Sequence, residues 1–230
     1  MPGGGEYRVG GDDVSQIFVY GTLKRGFYNH KLLEKLIGTR DAAYLGPHTT
    51  VEAFPLVCGP YGIPYLINLP GSGRRIRGEL YSVSSGPGLA RLDELEGLDR
   101  GHYERLPVSV AAVDESGGGE RVLEVEAYFA HRGFGEGLWK RCGEEGLGEF
   151  SAEMGKKYVR RQDRPSNSNF IQDIHKFISD SEPILLEKKE IKTARSRWHQ
   201  EWKEPLQVNK EEIQLPLKNN IPCINIGLHV

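Results

Sequence analysis

Residues 18–30 read FVYGTLKRGFYNH. Gln16–Tyr20 (QIFVY) is a short β-rich apolar run, and Gly21-Thr22 stops it abruptly. A strand that exits through a glycine can present consecutive backbone N–H groups as a small anion-binding nest. Gly21 would let a ligand approach the backbone of Tyr20, Gly21, Thr22 and Leu23 closely. An ordinary strand-to-loop turn carries the same residue types, so spacing alone leaves both readings open. Just beyond, Asn29 is placed to cap a short helix carrying Leu32, Leu33, Leu36 and Ile37, with Gly38 as its stop.

Working outward, Leu56–Cys58 and Pro64–Leu69 read as strands broken by prolines, and Pro70–Gly73 turns the chain into a further strand over Arg75–Val83. Arg105–Val113 and Arg121–Ala130 alternate and flank ESGGGE (115–120), the pattern of a hairpin with a glycine-rich tip. Between these strands, Pro87–Leu98 reads as a helix. Projected at roughly 100° per residue from Leu89, Leu92, Leu95 and Glu96 fall near 300°, 240° and 340°. Glu96 thus lies within the apolar arc, whereas Glu94, near 140°, faces water. A carboxylate in that arc is costly unless it is paired or lines a cavity, and its pKa rises toward neutrality, which suits a general acid/base. A helix-end Glu reaching solvent or an arginine is the plainer reading, and the projection does not choose between them.

Twenty-seven of the 29 glycines lie at or before position 148. A turn-rich, strand-rich front is therefore expected, followed by a helix over which Phe170, Ile171, Ile174, Phe177 and Ile178 share one face, capped by Asn167 or Ser168 and docked on the sheet. Residues 1–13 are Gly-rich and polar and are expected to be disordered; residues 14–181 form the domain. Residues 182–230 read as a partly helical or disordered extension in which Ile191, Ala194, Trp198 and Trp202 could share a weak amphipathic face.

Thirty Lys and Arg against 32 Asp and Glu give a net charge of −2, which argues against nucleic-acid or anionic-membrane binding. No run approaches the ~18–20 apolar residues of a membrane span. The first residues have neither the basic start nor the apolar stretch of a signal peptide. Three widely spaced cysteines disfavour disulfide scaffolds and zinc sites, and the expected location is cytoplasmic. Phosphate-loop, dinucleotide, HExxH, CxxC and GxSxG motifs are absent, and the seven histidines show no metal-ligand spacing.

FVYGTLKRGFYNH, FPLVCGPYGIPYLINLPGSG (54–73), RGELYSV (77–83) and RLDELEGLDRGHYER (91–105), in that order, resemble the gamma-glutamylcyclotransferase family. More narrowly, they resemble plant members of its gamma-glutamylamine cyclotransferase-like branch. EAYFAH (126–131) and YVRRQDRP (158–165) extend the likeness over 15–181. The resemblance implies an α+β fold: a small mixed β-barrel with a few packed helices and a pocket at the barrel mouth. It further implies intramolecular aminolysis of a small gamma-glutamyl amide, releasing 5-oxoproline. Glu96 falls on the family's catalytic Glu, and Tyr20, Gly21, Thr22 and Leu23 fall on its substrate loop. No metal or cofactor is implied, and a monomer is the default.

Tyr103 and Tyr128 could offer supporting hydroxyls, although buried packing is the plainer role for both. Lys24, Arg25 and Arg105 could attract an anionic substrate, while Cys58, His30 and His102 read as structural or surface residues. Two other functions compete: a binding module that keeps the pocket without turnover, and a stress-associated interaction protein recruiting a partner through the tail.

Overall fold

A computed structural model describes residues 14–84, 86–113, 121–166 and 169–180. The expectations for 1–13, for the 115–120 tip and for 182–230 fall outside the described residues, as do Asn167 and Ser168 themselves.

Five strands close into a barrel in the order β1 (Val14–Val19), β5 (Arg77–Ser84), β2 (Ala42–Thr50), β6 (Tyr103–Ala112) and β7 (Val122–Ala130). β1 runs antiparallel to β5, from Val14 opposite Ser84 to Val19 opposite Glu79, and parallel to β7 at Ile17 and Phe18. The barrel is therefore mixed, and β1 has a neighbour on each side. It is buried on both faces. Phe18 joins Leu80, Val110, Val125 and Phe129 in one apolar cluster. Ile17 and Val19 join Tyr81, Val83 and the helical residues Leu33, Leu36 and Leu92 in the other. That two-sided burial is why IFVY (17–20) is continuously apolar rather than alternating.

β6 and β7 form the expected hairpin, from Tyr103 opposite Ala130 to Ala111 opposite Val122. β3 (Leu56–Cys58) and β4 (Pro64–Leu66) make a separate two-stranded ribbon. β2 was not foreseen. Its alternation is broken at Gly46-Pro47, where φ of Gly46 is +112° and the pairing with β5 slips between Tyr44 and Gly46.

The helices cover the outside: α1 (His30–Gly38), α2 (Pro87–Glu96), α3 (Gly135–Arg141), α4 (Ala152–Lys156) and α5 (Phe170–Ser179). Two expected caps are corrected. Asn29 stands at the N-cap position of α1 but makes no side-chain capping bond: its backbone is helical (φ −82°, ψ −6°) rather than extended, and its amide donates to Thr22 Oγ1 (2.8 Å) and the Tyr158 hydroxyl (3.3 Å). α5 is capped by Asn169, whose side chain accepts from the Gln172 N–H. α5 packs against α3 and the turn at Pro60–Gly62, and its Ile174 joins the barrel residues Tyr81, Tyr103 and Tyr128 in one apolar cluster. Its Phe170 lies 6.3 Å from the Tyr65 ring of β4.

Candidate active site

Beyond β1 the chain continues through Tyr20–Leu23 along the wall of a cavity of about 770 Å³. Several bonds fix this loop. The Tyr20 hydroxyl donates to the Tyr128 carbonyl (2.6 Å) and accepts from the Leu66 N–H (3.2 Å), pinning the loop between barrel and ribbon. The Asn29 N–H donates to the Thr22 carbonyl (3.1 Å), and His30 Nδ1 lies 2.9 Å from the Leu23 carbonyl. Further along, Glu79 accepts from both the backbone N–H and the Nε of Arg25. Buried Lys24 pairs with Glu149 at 2.9 Å. Gly21 sits against Pro64: a Cβ there would come within 2.7 Å of the proline Cγ. Among the described residues, no acceptor bonds the backbone N–H of Gly21, Thr22 or Leu23. A loop with its carbonyls spent and its amides free is equipped to meet an anion.

The carboxylate comes from the end of α2. Gly97, at φ +69° and ψ 45°, ends the helix one residue after Glu96, and its N–H closes onto the Asp93 and Glu94 carbonyls. Leu92 faces the core and Glu94 faces water, as the projection places them, whereas Leu95 is 38% exposed at the cavity. Glu96 lines the same cavity as the Tyr20–Leu23 loop. It is half-buried by exposed area, because the cavity itself gives access, yet protein mass surrounds it. Its carboxyl has no hydrogen bond and no ion pair among the described residues. Burial alone pushes its pKa up to about 7.

One turn earlier Asp93 is held tightly. Its Oδ1 accepts from the Tyr128 hydroxyl (2.8 Å) and lies 3.2 Å from Arg105 Nε, while Arg105 Nη1 reaches Glu126 at 2.6 Å. This set ties α2 to the β6–β7 hairpin and so aims Glu96. Sequence reasoning missed Asp93, although its spacing three residues before Glu96 was the available signal.

Tyr103 and Tyr128 both line the cavity, but their hydroxyls already donate, Tyr103 to the Pro64 carbonyl (3.0 Å) and Tyr128 to Asp93. Arg105 is spent on Asp93 and Glu126, and Arg25 on Glu79 and the Tyr44 hydroxyl. The Cys58 thiol is pushed up to about 12, mainly by burial, which removes it as a nucleophile.

The family model for gamma-glutamyl cyclotransferase, AIG2-like proteins matches residues 17–145. The chain belongs to that family. A candidate gamma-glutamylcyclotransferase of Arabidopsis thaliana is 47% identical over 171 residues, 71% of this chain and 91% of the relative. The gamma-glutamylaminecyclotransferase of Rattus norvegicus is 43% identical over 108 residues, 46% of this chain and 70% of its own. The crystal structure of an AIG2-like protein of Mus musculus is 32% identical, with a TM-score of 0.53, and covers 66% of this chain and 99% of its own.

Proposed function

We propose that this protein is a gamma-glutamylcyclotransferase acting on a gamma-glutamylamine or a gamma-glutamyl amino acid or peptide, with Glu96 as its general acid/base. The observation that carries the proposal is the unpaired Glu96 carboxyl, lining one cavity with a loop of unbonded amides.

The reaction asks little of the protein beyond position and one proton carrier. The substrate's α-nitrogen attacks its own γ-carbonyl, and a five-membered ring closes. Folding the γ-glutamyl group into that geometry makes the step unimolecular. The α-nitrogen arrives as an ammonium, which is not a nucleophile. The Glu96 carboxylate takes a proton from the α-ammonium so that the amine can attack, passes it to the departing nitrogen so that the amide C–N bond can break, and then carries the second α-nitrogen proton to the released amine. The C–N bond of the amide breaks as the lactam C–N bond forms, and the amine leaves as its ammonium, so no net proton is consumed. A carboxyl near 7 is about half ionised at neutral pH, which fits both halves of this task. The Gly21–Leu23 amides supply an anion cradle for the substrate's α-carboxylate or for the oxyanion formed at the γ-carbon.

The test is to incubate purified protein with gamma-glutamyl-ε-lysine, gamma-glutamyl dipeptides and glutathione while measuring 5-oxoproline. Release from at least one substrate, cut by ~10²–10⁴-fold in Glu96→Gln, is the expected result. No product from any substrate, or undiminished product from the variant, overturns the proposal.

A further inference from the structure

The wall that carries the amide loop also carries two hydroxyls with a proton to spare. The Asn29 side-chain amide donates to Thr22 Oγ1 at 2.8 Å and to the Tyr158 hydroxyl at 3.3 Å, and all three residues line the cavity. An amide nitrogen has two hydrogens, one for each of these oxygens. A hydroxyl engaged as an acceptor in this way keeps its own proton to give. Among the described residues neither proton has an acceptor. Two further donors therefore stand with the unbonded N–H groups of Gly21, Thr22 and Leu23.

Tyr158 reaches this wall from a segment outside residues 17–145, the stretch that the family model matches. The Val159 N–H donates to the Tyr61 carbonyl (2.8 Å), and a Cβ on Gly62 would meet the Lys157 carbonyl oxygen at 2.5 Å, so this backbone lies directly against the Pro60–Gly62 turn. The Tyr158 ring sits 6.3 Å from the Tyr28 ring, with the Arg164 guanidinium 5.8 Å away. These contacts hold the ring and leave the hydroxyl proton unspent. Asn29 is fixed from the other side, because its own N–H donates to the Thr22 carbonyl (3.1 Å). The charge around the wall favours an anion. Arg161 and Arg164 line the cavity without a carboxylate partner among the described residues, and of its two lining carboxyls Asp173 already accepts from the Tyr61 hydroxyl (3.0 Å).

We propose that Tyr158 is a further substrate-binding residue, whose hydroxyl donates together with that of Thr22 to the α-carboxylate of the γ-glutamyl group, and that Asn29 is the positioning residue that aims both. This rests on the cyclotransferase reading, because it takes a γ-glutamyl group as the occupant. A carboxylate has two oxygens and about four lone-pair sites, enough for this many donors, whereas a single oxyanion oxygen is served by about two. The contact forms when the substrate binds and persists through ring closure. Its loss therefore raises KM and leaves kcat nearly unchanged.

Tyr158→Phe keeps the ring and removes only the hydroxyl. The expected result is a KM raised ~10-fold with kcat within about 2-fold of wild type. Asn29→Ala should raise KM ~5-fold, and the double variant by less than the product of the two, because Asn29 acts in part through the Tyr158 hydroxyl. An unchanged KM in Tyr158→Phe, or a fall in kcat alone, overturns the carboxylate contact, and a fully multiplicative double variant removes Asn29 as its positioning residue. Calorimetry on Glu96→Gln protein reads the contact without turnover, with gamma-glutamyl-ethylamide and the analogue whose α-carboxylate is a carboxamide as probes. The carboxylate should bind ~10-fold more tightly, and adding Tyr158→Phe should shrink that preference ~5-fold. If it does so while wild-type protein releases no 5-oxoproline, the cyclisation reading fails alone. No binding of either probe, or a preference that Tyr158→Phe leaves intact, overturns the contact whatever the turnover.

Discussion

Asp93 and Glu96 stand one helical turn apart on α2. Asp93 meets the Tyr128 hydroxyl and the Arg105 guanidinium, and its charge is answered within 3.2 Å. Glu96 meets only the cavity, and burial raises its pKa to about 7. The same chemical type on the same helix becomes a structural tie in one place and, in the proposed cyclisation, a proton carrier in the other. The surroundings differ, because Asp93 faces the β6–β7 hairpin while Glu96 is the last helical residue before Gly97 turns the chain away. Pairing commits the Asp93 oxygens to the fold, whereas the unpaired carboxyl keeps its oxygens available to whatever enters the cavity.

The largest test of that contrast removes the unpaired member. In wild-type protein kcat/KM should fall as pH drops below about 7, with a one-proton dependence, as the Glu96 carboxylate is lost. Stability should show the same group with the opposite sense. The folded state holds the proton more tightly than an unfolded Glu near 4.5, so the wild type loses stability as pH rises from about 4.5 through about 7. Glu96→Gln escapes that loss. Urea titrations should find the variant more stable than wild type at pH 8, by an amount on the order of 1–3 kcal/mol, and near parity at pH 4. The same difference at both pH values would mean that Glu96 is not held as described.

A smaller effect is expected from the paired member. Asp93→Ala strips the Tyr128 hydroxyl of its acceptor and leaves Arg105 with Glu126 alone. We expect a loss of about 1–2 kcal/mol, discounted because both side chains of the ion pair keep about a quarter of their exposure. We also expect a drop in kcat of about 10-fold with little change in KM, because a misaimed Glu96 spoils proton transfer more than binding. An unchanged kcat would show that the tie does not aim Glu96.

The smallest effect concerns the loop facing that carboxyl. Gly21→Ala places a methyl about 2.7 Å from the Pro64 ring, closer than ordinary carbon contacts allow, and the ring is no flexible side-chain end, so the loop or the proline must move apart. A rise in KM of a few-fold, with kcat/KM following it, is the expected kinetic result. A larger loss than that of Asp93→Ala would mean that the amide cradle outweighs the aim of the carboxyl.

Much of this was legible in the linear chain because its causes are local. β1, β3, the β6–β7 pair and the α2 helix follow from apolar periodicity and glycine punctuation, and the α2 projection put Glu96 on the buried side and Glu94 in water. β2 escaped because its Gly46-Pro47 bulge erases the alternation by which strands are recognised. Asn29 stands at the start of α1 as its type and spacing suggest, but its helical backbone and its amide bonds to Thr22 and to Tyr158, 129 residues away, leave the cap bond unmade. The arginines of 160–164 read as an ordinary basic run; which of them keeps a free charge depends on Asp163 for Arg160 and on the Tyr61 and Tyr158 rings for Arg164.

By itself the sequence determined the strand that ends in a glycine turn, the helix that ends in a carboxylate, and the order of motifs shared with the cyclotransferases. Only the tertiary structure decided that the turn and the carboxylate line one cavity, that Asp93 is paired while Glu96 is not, and that two arginines remain without a carboxylate partner. Periodicity is set by neighbours a few residues away, whereas the ionisation and pairing of a side chain are set by whatever the fold brings within a few ångströms of it, from any distance along the chain.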